Sequence, residues 1–381
     1  MIYLDNNATT RVADEVLVIM EPYYREWFGN AHSVHGLGRK SHDGVEDARR
    51  SVAALMGAEA SETIFTSCGT EGNAMVIRGL LESGAQRRKV VATSVEHPSV
   101  LALLRALEKN AQIDLAIAPV TPAGAIDLDA IRALVDDETL LVCVMQAQNE
   151  TGVVHDVAAV ADIAHRAGAL VHVDSVQAAG KIPVSMRDLG ADFLTISGHK
   201  FHAPKGVGAL AIRKGLKVAP LWYGGGQELG MRSGTEPVPS IVGLGVAAEM
   251  AQKAVREFDR VAALRDRLEE ALLGAPQHSI SINGASQRRL ANTSSISFHD
   301  RSSDAIVRAL DAEGIYVSAG AACHSGKVEP SATMKAMGKP ANQAIGTVRF
   351  SLSRYTSGEE IDRTIEIVRA IAENRPAVPT G

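Results

Sequence analysis

Lys200 lies just past a short apolar run, Asp192 to Ser197, within the stretch Thr195-Ile-Ser-Gly-His-Lys-Phe-His-Ala-Pro-Lys-Gly206. In a parallel α/β sheet the C-terminal ends of strands form the edge where ligands bind. A lysine there is either a solvated loop residue or an amine able to condense with an aldehyde. Other strand-like runs end in residues that bear on the choice. The run 63–66 ends at Ser67-Cys-Gly-Thr70 and opens a helix. Its free N–H groups and dipole suit a phosphate, although a plain N-cap accounts for the same residues. The run 90–95 ends at Glu96-His97-Pro98, where His97 is a loop residue or a ring able to lie flat on an aromatic group. The run 140–145 leads to Asn149, a turn former before glycine or a partner for a phenolic oxygen or a carboxylate. The run 170–173 ends at Asp174, with Gln177 shortly after. A carboxylate at that position is buried and needs a partner: a protonated pyridinium nitrogen, an arginine or a helix N-terminus. A phosphate cradle, a ring-facing histidine, a buried aspartate and a lysine after the following strand together fit pyridoxal phosphate.

Cys323 adds a nucleophile. It sits in Ala319-Gly-Ala-Ala-Cys-His-Ser-Gly326, a small, glycine-containing segment expected to swing, with Lys327 near enough to favour a thiolate. By itself it is equally a stray surface or buried cysteine. Cys68 and Cys143 lie in or beside strand runs and read as small hydrophobes. Zinc ligation by His199, His202, Cys323 and His324 has poor spacing and would take Lys200's neighbours from the cofactor, so no metal is expected.

The elements that must carry these residues alternate along the chain. Helices are expected over 13–27 and 38–56, then short apolar runs at 63–66, 90–95, 113–118, 140–145, 170–173, 193–196 and 208–212. Most are separated by helical stretches such as 100–109, 130–135 and 158–167. That alternation predicts an α/β domain with a mainly parallel sheet. A helical stretch over 238–273, with at most a break, leads to an α+β region. There strands are expected near 279–282, 293–298, 315–318 and 346–351, with helices at 303–312 and 357–373. The last helix opens with the N-cap signal Ser357-Gly-Glu-Glu360, and the tail from Arg375 is expected to fray.

The 381 residues, 46% hydrophobic and 22% charged, are those of a globular protein. A net charge of −5 argues against a nucleic-acid-binding surface. No apolar run approaches the ~20 residues of a membrane span, and the opening Met-Ile-Tyr-Leu-Asp reads as strand, with no targeting segment. Three cysteines make no disulfide framework and suggest a reducing compartment, the cytoplasm.

The chain resembles the cysteine desulfurases of the NifS/IscS kind, pyridoxal-phosphate enzymes of the aspartate-aminotransferase fold. The resemblance runs from Tyr3-Leu-Asp-Asn-Asn-Ala-Thr-Thr10 to Arg349-Phe-Ser-Leu352. Its specific blocks are Glu96-His-Pro-Ser99, Asn149-Glu-Thr-Gly-Val153, Val173-Asp-Ser-Val-Gln177, Ser197-Gly-His-Lys-Phe201, Pro204-Lys-Gly206, Arg232-Ser-Gly-Thr235 and Ser318-Ala-Gly-Ala-Ala-Cys323. It implies a fold of type I: a large domain over 13–250 with a mainly parallel seven-stranded sheet, and a small α+β domain over 1–12 and 251–381 carrying the cysteine segment. It implies that Lys200 is the Schiff-base lysine, that Asp174 meets the ring nitrogen, and that Gln177 and Asn149 approach the phenolic oxygen. His97 would stack on the ring and shuttle protons, and Gly69, Thr70, Ser197 and His199 would hold the phosphate. Thr235 would reach the phosphate of a neighbouring subunit, which implies a homodimer with shared sites. Arg349 would clamp the carboxylate of L-cysteine, with Asn149 and Asn7 beside it. Cys323 would take the substrate's sulfur as a persulfide, leave L-alanine, and pass the sulfur to an acceptor protein. That acceptor would serve iron–sulfur assembly, RNA or cofactor thiolation, or DNA phosphorothioation. Rival readings are a selenocysteine lyase or another pyridoxal-phosphate lyase of this fold, and a sulfur-relay scaffold that binds the cofactor without turnover. Ala31, Ala321 and His324 depart from the residues common in the family, at positions outside the cofactor set.

Overall fold

Runs of four or five apolar residues are long enough to cross a sheet and too short to bury themselves in any other way. The computed structural model describes residues 1–274, 279–324 and 327–373, and it stacks these runs side by side. The chain begins with β1 (Ile2–Tyr3), α1 (Asp14–Arg25) and α2 (Gly36–Met56). It then alternates through β2 (Thr63–Thr66), α3 (Gly69–Glu82), β3 (Lys89–Thr93), α4 (Pro98–Lys109), β4 (Asp114–Ala118), α5 (Leu128–Leu134), β5 (Thr139–Met145), α6 (Val157–Arg166), β6 (Leu170–Asp174), β7 (Phe193–Ser197) and β8 (Gly208–Ile212). These seven strands form one sheet in the order β2-β8-β7-β6-β5-β3-β4. Only β8 is antiparallel to its neighbours, β2 and β7; the pairs from β7 to β4 are parallel. Six strands therefore end at the same edge.

The central strands β7 and β8 are buried along their whole length, because helices cover both faces. On one face Val16, Met20, Val45 and Val52 of α1 and α2 pack with Ile241 and Leu244 of α7 (Val238–Ala254). On the other, Met75 and Ile77 of α3 and Leu101 and Leu104 of α4 pack on Val90, Leu141 and Phe193. Strands enclosed in this way need no alternation of polar and apolar residues.

The expected long helix is broken by a turn of 3-10 helix at Val255–Glu257, after which α8 (Phe258–Leu273) begins a second core. Here β9 (Ile280–Ile282), β10 (Thr293–Phe298), α9 (Ser303–Ala312), β11 (Ile315–Tyr316), β12 (Ser318–Ala319), β15 (Thr347–Ser351) and α12 (Gly358–Glu373) enclose Val261, Leu268, Phe298, Leu310, Phe350 and Ile361. The sheet order is β12-β15-β10-β9, all antiparallel. β1 joins this half of the molecule by pairing with β11, and Leu4 is buried in its core.

One segment departs from the sequence reading. Around Cys323, where the sequence reading places a loop and no strand, the described backbone pairs β13 (Ala321–His324) with β14 (Lys327–Pro330) in an antiparallel ribbon. Two short helices, α10 (Ala332–Ala336) and α11 (Ala341–Ala344), follow. The backbone pairing within the ribbon satisfies groups that small residues alone leave open, and elements this short carry no readable periodicity. Ser325, Gly326 and the tail from residue 374 lie outside the described residues, as do the side chains of Cys323 and Lys327. Among the described residues no helix is long and apolar enough to cross a membrane.

Candidate active site

The shared strand edge delivers its side chains to a cavity of about 940 Å³, counted to its open mouth. Gly69, Thr70, His97, Asn149, Asp174, Gln177, Ser197, His199, Lys200, Arg349 and Asn7 all line it. Thr235 does not: it is exposed, on the segment that precedes α7.

At one end, α3 starts at Gly69 with Cys68 as its N-cap and no side-chain acceptor capping the turn. A Cβ on Gly69 would lie 2.7 Å from Val176 Cγ2, so only glycine lets the chain pass this close to the β6 end. The Ser197 hydroxyl is buried here without a partner, and His199 Nδ1 rests 3.2 Å from the Thr9 hydroxyl. An anion with several acceptor oxygens would satisfy Ser197 and the helix N-terminus together. Cys68 lines this end and is half-buried; the turn onto α3 brings it to the cavity. Cys143, within β5, is fully buried, and burial pushes its thiol pKa up.

Deeper in, Asp174 is 6% exposed. Its Oδ1 accepts the Val176 N–H at 3.0 Å, and its Oδ2 accepts from Asn73 Nδ2 at 2.9 Å. The partner is thus an amide on α3, one helical turn past Gly69, and no arginine. Neutral donors leave the negative charge available to a cationic ring nitrogen. His97 N-caps α4 with its ring open to the cavity. Its pKa is held below the ordinary histidine value, by the crowding of protein around it first and by Lys200 in the opposite sense to Asp174.

Lys200 Nζ donates to the carbonyls of Asn7 (2.7 Å) and Ala8 (2.8 Å). Burial first, then Arg349, lowers its pKa to about 8. Gln177 Nε2 donates to the same Asn7 carbonyl at 2.9 Å, and its Oε1 accepts from Lys181 Nζ at 2.7 Å. Lys181 was not foreseen; its position four residues after Gln177 was the available signal. It is buried, and burial drives its pKa well down. The Asn7 side chain faces the protein: Nδ2 donates to Thr293 Oγ1 at 2.9 Å, and Oδ1 accepts from Asn292 at 3.0 Å and Lys181 at 3.2 Å. Its reach into the cavity is through its backbone. Arg349, from the middle of β15, donates to Asp5 Oδ1 at 2.7 Å and to the Asn149 carbonyl at 3.0 Å, while its buried Nε has no partner. His202 turns elsewhere, to the Arg11 carbonyl and the Tyr355 ring, so it does not share a centre with His199.

The family model described as aminotransferase class-V matches residues 2–364. This chain belongs to the class-V aminotransferase family. Within it, the chain is 47% identical over 378 residues to a cysteine desulfurase of Cereibacter sphaeroides, covering 99% of this chain and 97% of that protein. It is 45% identical over 381 residues to the cysteine desulfurase NifS of Azotobacter vinelandii, covering 99% and 94%. A solved structure described as a NifS-like protein superposes with a TM-score of 0.91 at 38% identity, over 98% of this chain and 99% of that one. Cysteine desulfurases of the class-V aminotransferase family use pyridoxal phosphate. The cavity fits that group: an unpartnered buried hydroxyl and an uncapped helix for a phosphate, a buried carboxylate for a ring nitrogen, and an amine with lowered pKa for an aldehyde.

Proposed function

We propose that this class-V aminotransferase is a cysteine desulfurase that moves sulfur from L-cysteine to Cys323 and releases L-alanine. The observation that carries the reading is the gathering of Lys200, Asp174, His97, Ser197 and Arg349 in one cavity, in a chain with full-length relatives of that name. The balance is closed: a cysteine and a thiol give alanine and a persulfide, with no external oxidant or reductant. Gly69, Thr70, Ser197 and His199 would hold the cofactor's phosphate, Asp174 its ring nitrogen, His97 its face, and Gln177 and Asn149 its phenolic oxygen. When bound, pyridoxal phosphate supplies the electron sink that lets a proton leave the substrate's Cα. Lys200, with its pKa near 8, can take a proton and return it near neutrality. Arg349 binds the substrate carboxylate through a guanidinium that keeps an unused N–H in the cavity wall. The Cys323 thiolate attacks the substrate sulfur and keeps it for an acceptor protein. The working form is a cytoplasmic homodimer in which Thr235 reaches the partner's phosphate, consistent with its exposure outside its own cavity.

The test is purified protein with L-cysteine and a reductant, with sulfide and alanine assayed together and wild type beside Cys323→Ala. The expected result is equal amounts of both products from a yellow wild type, and a yellow but inactive variant. A colourless protein that pyridoxal phosphate does not reconstitute would overturn the reading.

A further inference from the structure

Two of the cavity's residues are joined by hydrogen bonds through two others that the reaction has not so far required. Asn73 Nδ2 donates to Asp174 Oδ2 and to Ser99 Oγ, each at 2.9 Å. Ser99 Oγ lies 2.8 Å from His97 Nδ1, and the Ser99 backbone N–H donates to that same nitrogen at 3.1 Å. The direction of every bond follows from what each group can do. A carboxylate only accepts, so the NH2 of Asn73, and not its carbonyl, faces Asp174. The second N–H of that amide uses a lone pair of Ser99 Oγ. Ser99 then has one proton to give, and the acceptor in reach is His97 Nδ1. That nitrogen already receives a backbone N–H, the N-cap bond of α4. A ring nitrogen that receives two donors carries no proton, so the ring's proton sits on Nε2, on the edge left to the cavity. Asn73 is 1% exposed, which shields the middle of the chain from exchange with solvent.

We propose that Asn73 and Ser99 are positioning residues that hold His97 in its Nε2–H tautomer, making His97 a hydrogen-bond donor to the cavity and not a proton acceptor. The proposal deepens the desulfurase reading and rests on this cavity being its active site. Its consequence is a division of labour: proton removal from the substrate falls to Lys200, and His97 contributes its ring face and one fixed N–H. The charged groups facing His97 are Asp174, from the end of β6, and Lys200, from the turn after β7. Neither offers a donor that would displace the two bonds on Nδ1 without first breaking the Asn73 and Lys200 contacts described above.

The test is nitrogen-15 NMR of histidine-labelled, cofactor-loaded protein, with His97→Gln used to assign the His97 signals. Wild type is expected to show a protonated Nε2 and a bare Nδ1 throughout the range in which the enzyme turns over. Ser99→Ala removes one of the two donors and is expected to relax the tautomer towards a mixture and move the His97 titration up towards its ordinary value. Asn73→Ala is expected to act the same way; should its buried site prevent folding, Ser99→Ala, in the first turn of α4, carries the test alone. A wild-type ring protonated on Nδ1, or a tautomer and titration unmoved in the variants, overturns the proposal. The functional arm compares two replacements. His97→Gln can donate from its amide but cannot take up a proton, and should stay within about tenfold of wild type in sulfide release. His97→Ala, which loses the donor, should fall about a hundredfold. Equal losses in both overturn the donor role. Failure of the desulfurase reading would appear separately, as absent turnover in wild type, with the tautomer still read from the same spectra.

Discussion

Glu96 precedes His97 in the chain and is buried, at 5% exposed. Its Oε1 accepts from the Thr93 hydroxyl at 2.6 Å and the Met145 N–H at 2.8 Å, while Oε2 has no partner. Burial first raises its pKa to about 8, with Asp174 adding to the rise and the two hydrogen bonds opposing it. A carboxyl with a raised folded-state pKa binds more protons folded than unfolded between its ordinary value and about 8. Its contribution to stability is therefore intact at low pH and is lost as pH rises through that window, at a limiting slope of about 1.4 kcal/mol per pH unit. Glu96→Gln keeps an accepting oxygen and removes the titration. Urea melts across this window should show wild type losing stability relative to the variant as pH rises, levelling off above it; parallel curves would refute the assignment. Arg349 makes a second residue-scale case. Lysine cannot supply both the Asp5 contact and a two-point grip on a carboxylate, so Arg349→Lys should raise the KM for L-cysteine by about tenfold or more. The visible absorbance of bound cofactor should stay as in wild type, and a loss of colour would mean that Arg349 serves the cofactor site and not the substrate.

The loop from Gln148 to Gly152 shows how an element can be set by a position that does no chemistry. Gly152 has φ +76°, and a Cβ there would lie 2.7 Å from Thr293 Cβ. Thr293 in turn anchors Asn7, whose carbonyl holds Lys200. Gly152→Ala meets both a left-handed backbone and a blocked approach, so it should destabilise the fold by about 1–3 kcal/mol and weaken cofactor retention. A thermal melt with absorbance followed in parallel checks this; an unchanged Tm would show that β10 yields freely. The sequence was legible wherever one element carried its own signal. The apolar runs marked six strand ends at one edge, and Lys200, Asp174 and His97 could be placed because each lies within a few residues of the end of such a run. What stayed hidden depends on meetings between distant parts of the chain. Asp5 holds Arg349 across the whole length of the sequence, and Asn292 and Thr293 fix Asn7 from the other half of the molecule. Asn73 was hidden for another reason: an asparagine inside a helix has no periodic signature, and only its i+4 spacing from Gly69 hints that it faces the same site. The ribbon that carries Cys323 was missed because four residues per strand are too few to show a period, and the first strand, Ala-Ala-Cys-His, resembles a loop.

At the scale of the whole molecule, the stretch between β8 and α7 is built as though to face something. Glu228 and Leu229 both adopt left-handed backbone, φ +48° and +58°, a conformation that side chains other than glycine rarely take. The strain is held by a buried grip: Glu228 accepts two bonds from Arg49, at 2.7 and 2.8 Å, and the Phe65 N–H at 2.7 Å. A second pair, Arg232 with Glu71 at 2.9 Å, ties the same stretch to the first turn of α3. Within this rigid frame Trp222, Tyr223 and Leu229 are exposed, Tyr223 to 80%, and Thr235 stands exposed beyond them. Apolar side chains fixed outward on a strained, clamped segment are costly in water and favourable against a second copy of the chain. The homodimer in the proposed function would use them, and a charge on each should break it. Tyr223→Glu with Leu229→Glu is expected to shift the sedimentation of the protein from dimer to monomer and to weaken pyridoxal-phosphate binding, since the partner's Thr235 is lost with the interface. Thr235→Ala separates the two effects: it should weaken cofactor binding alone and leave the mass unchanged. A double variant that remains a dimer would move the interface to another face, and a Thr235→Ala protein that binds the cofactor as wild type does would remove the shared site from the proposal.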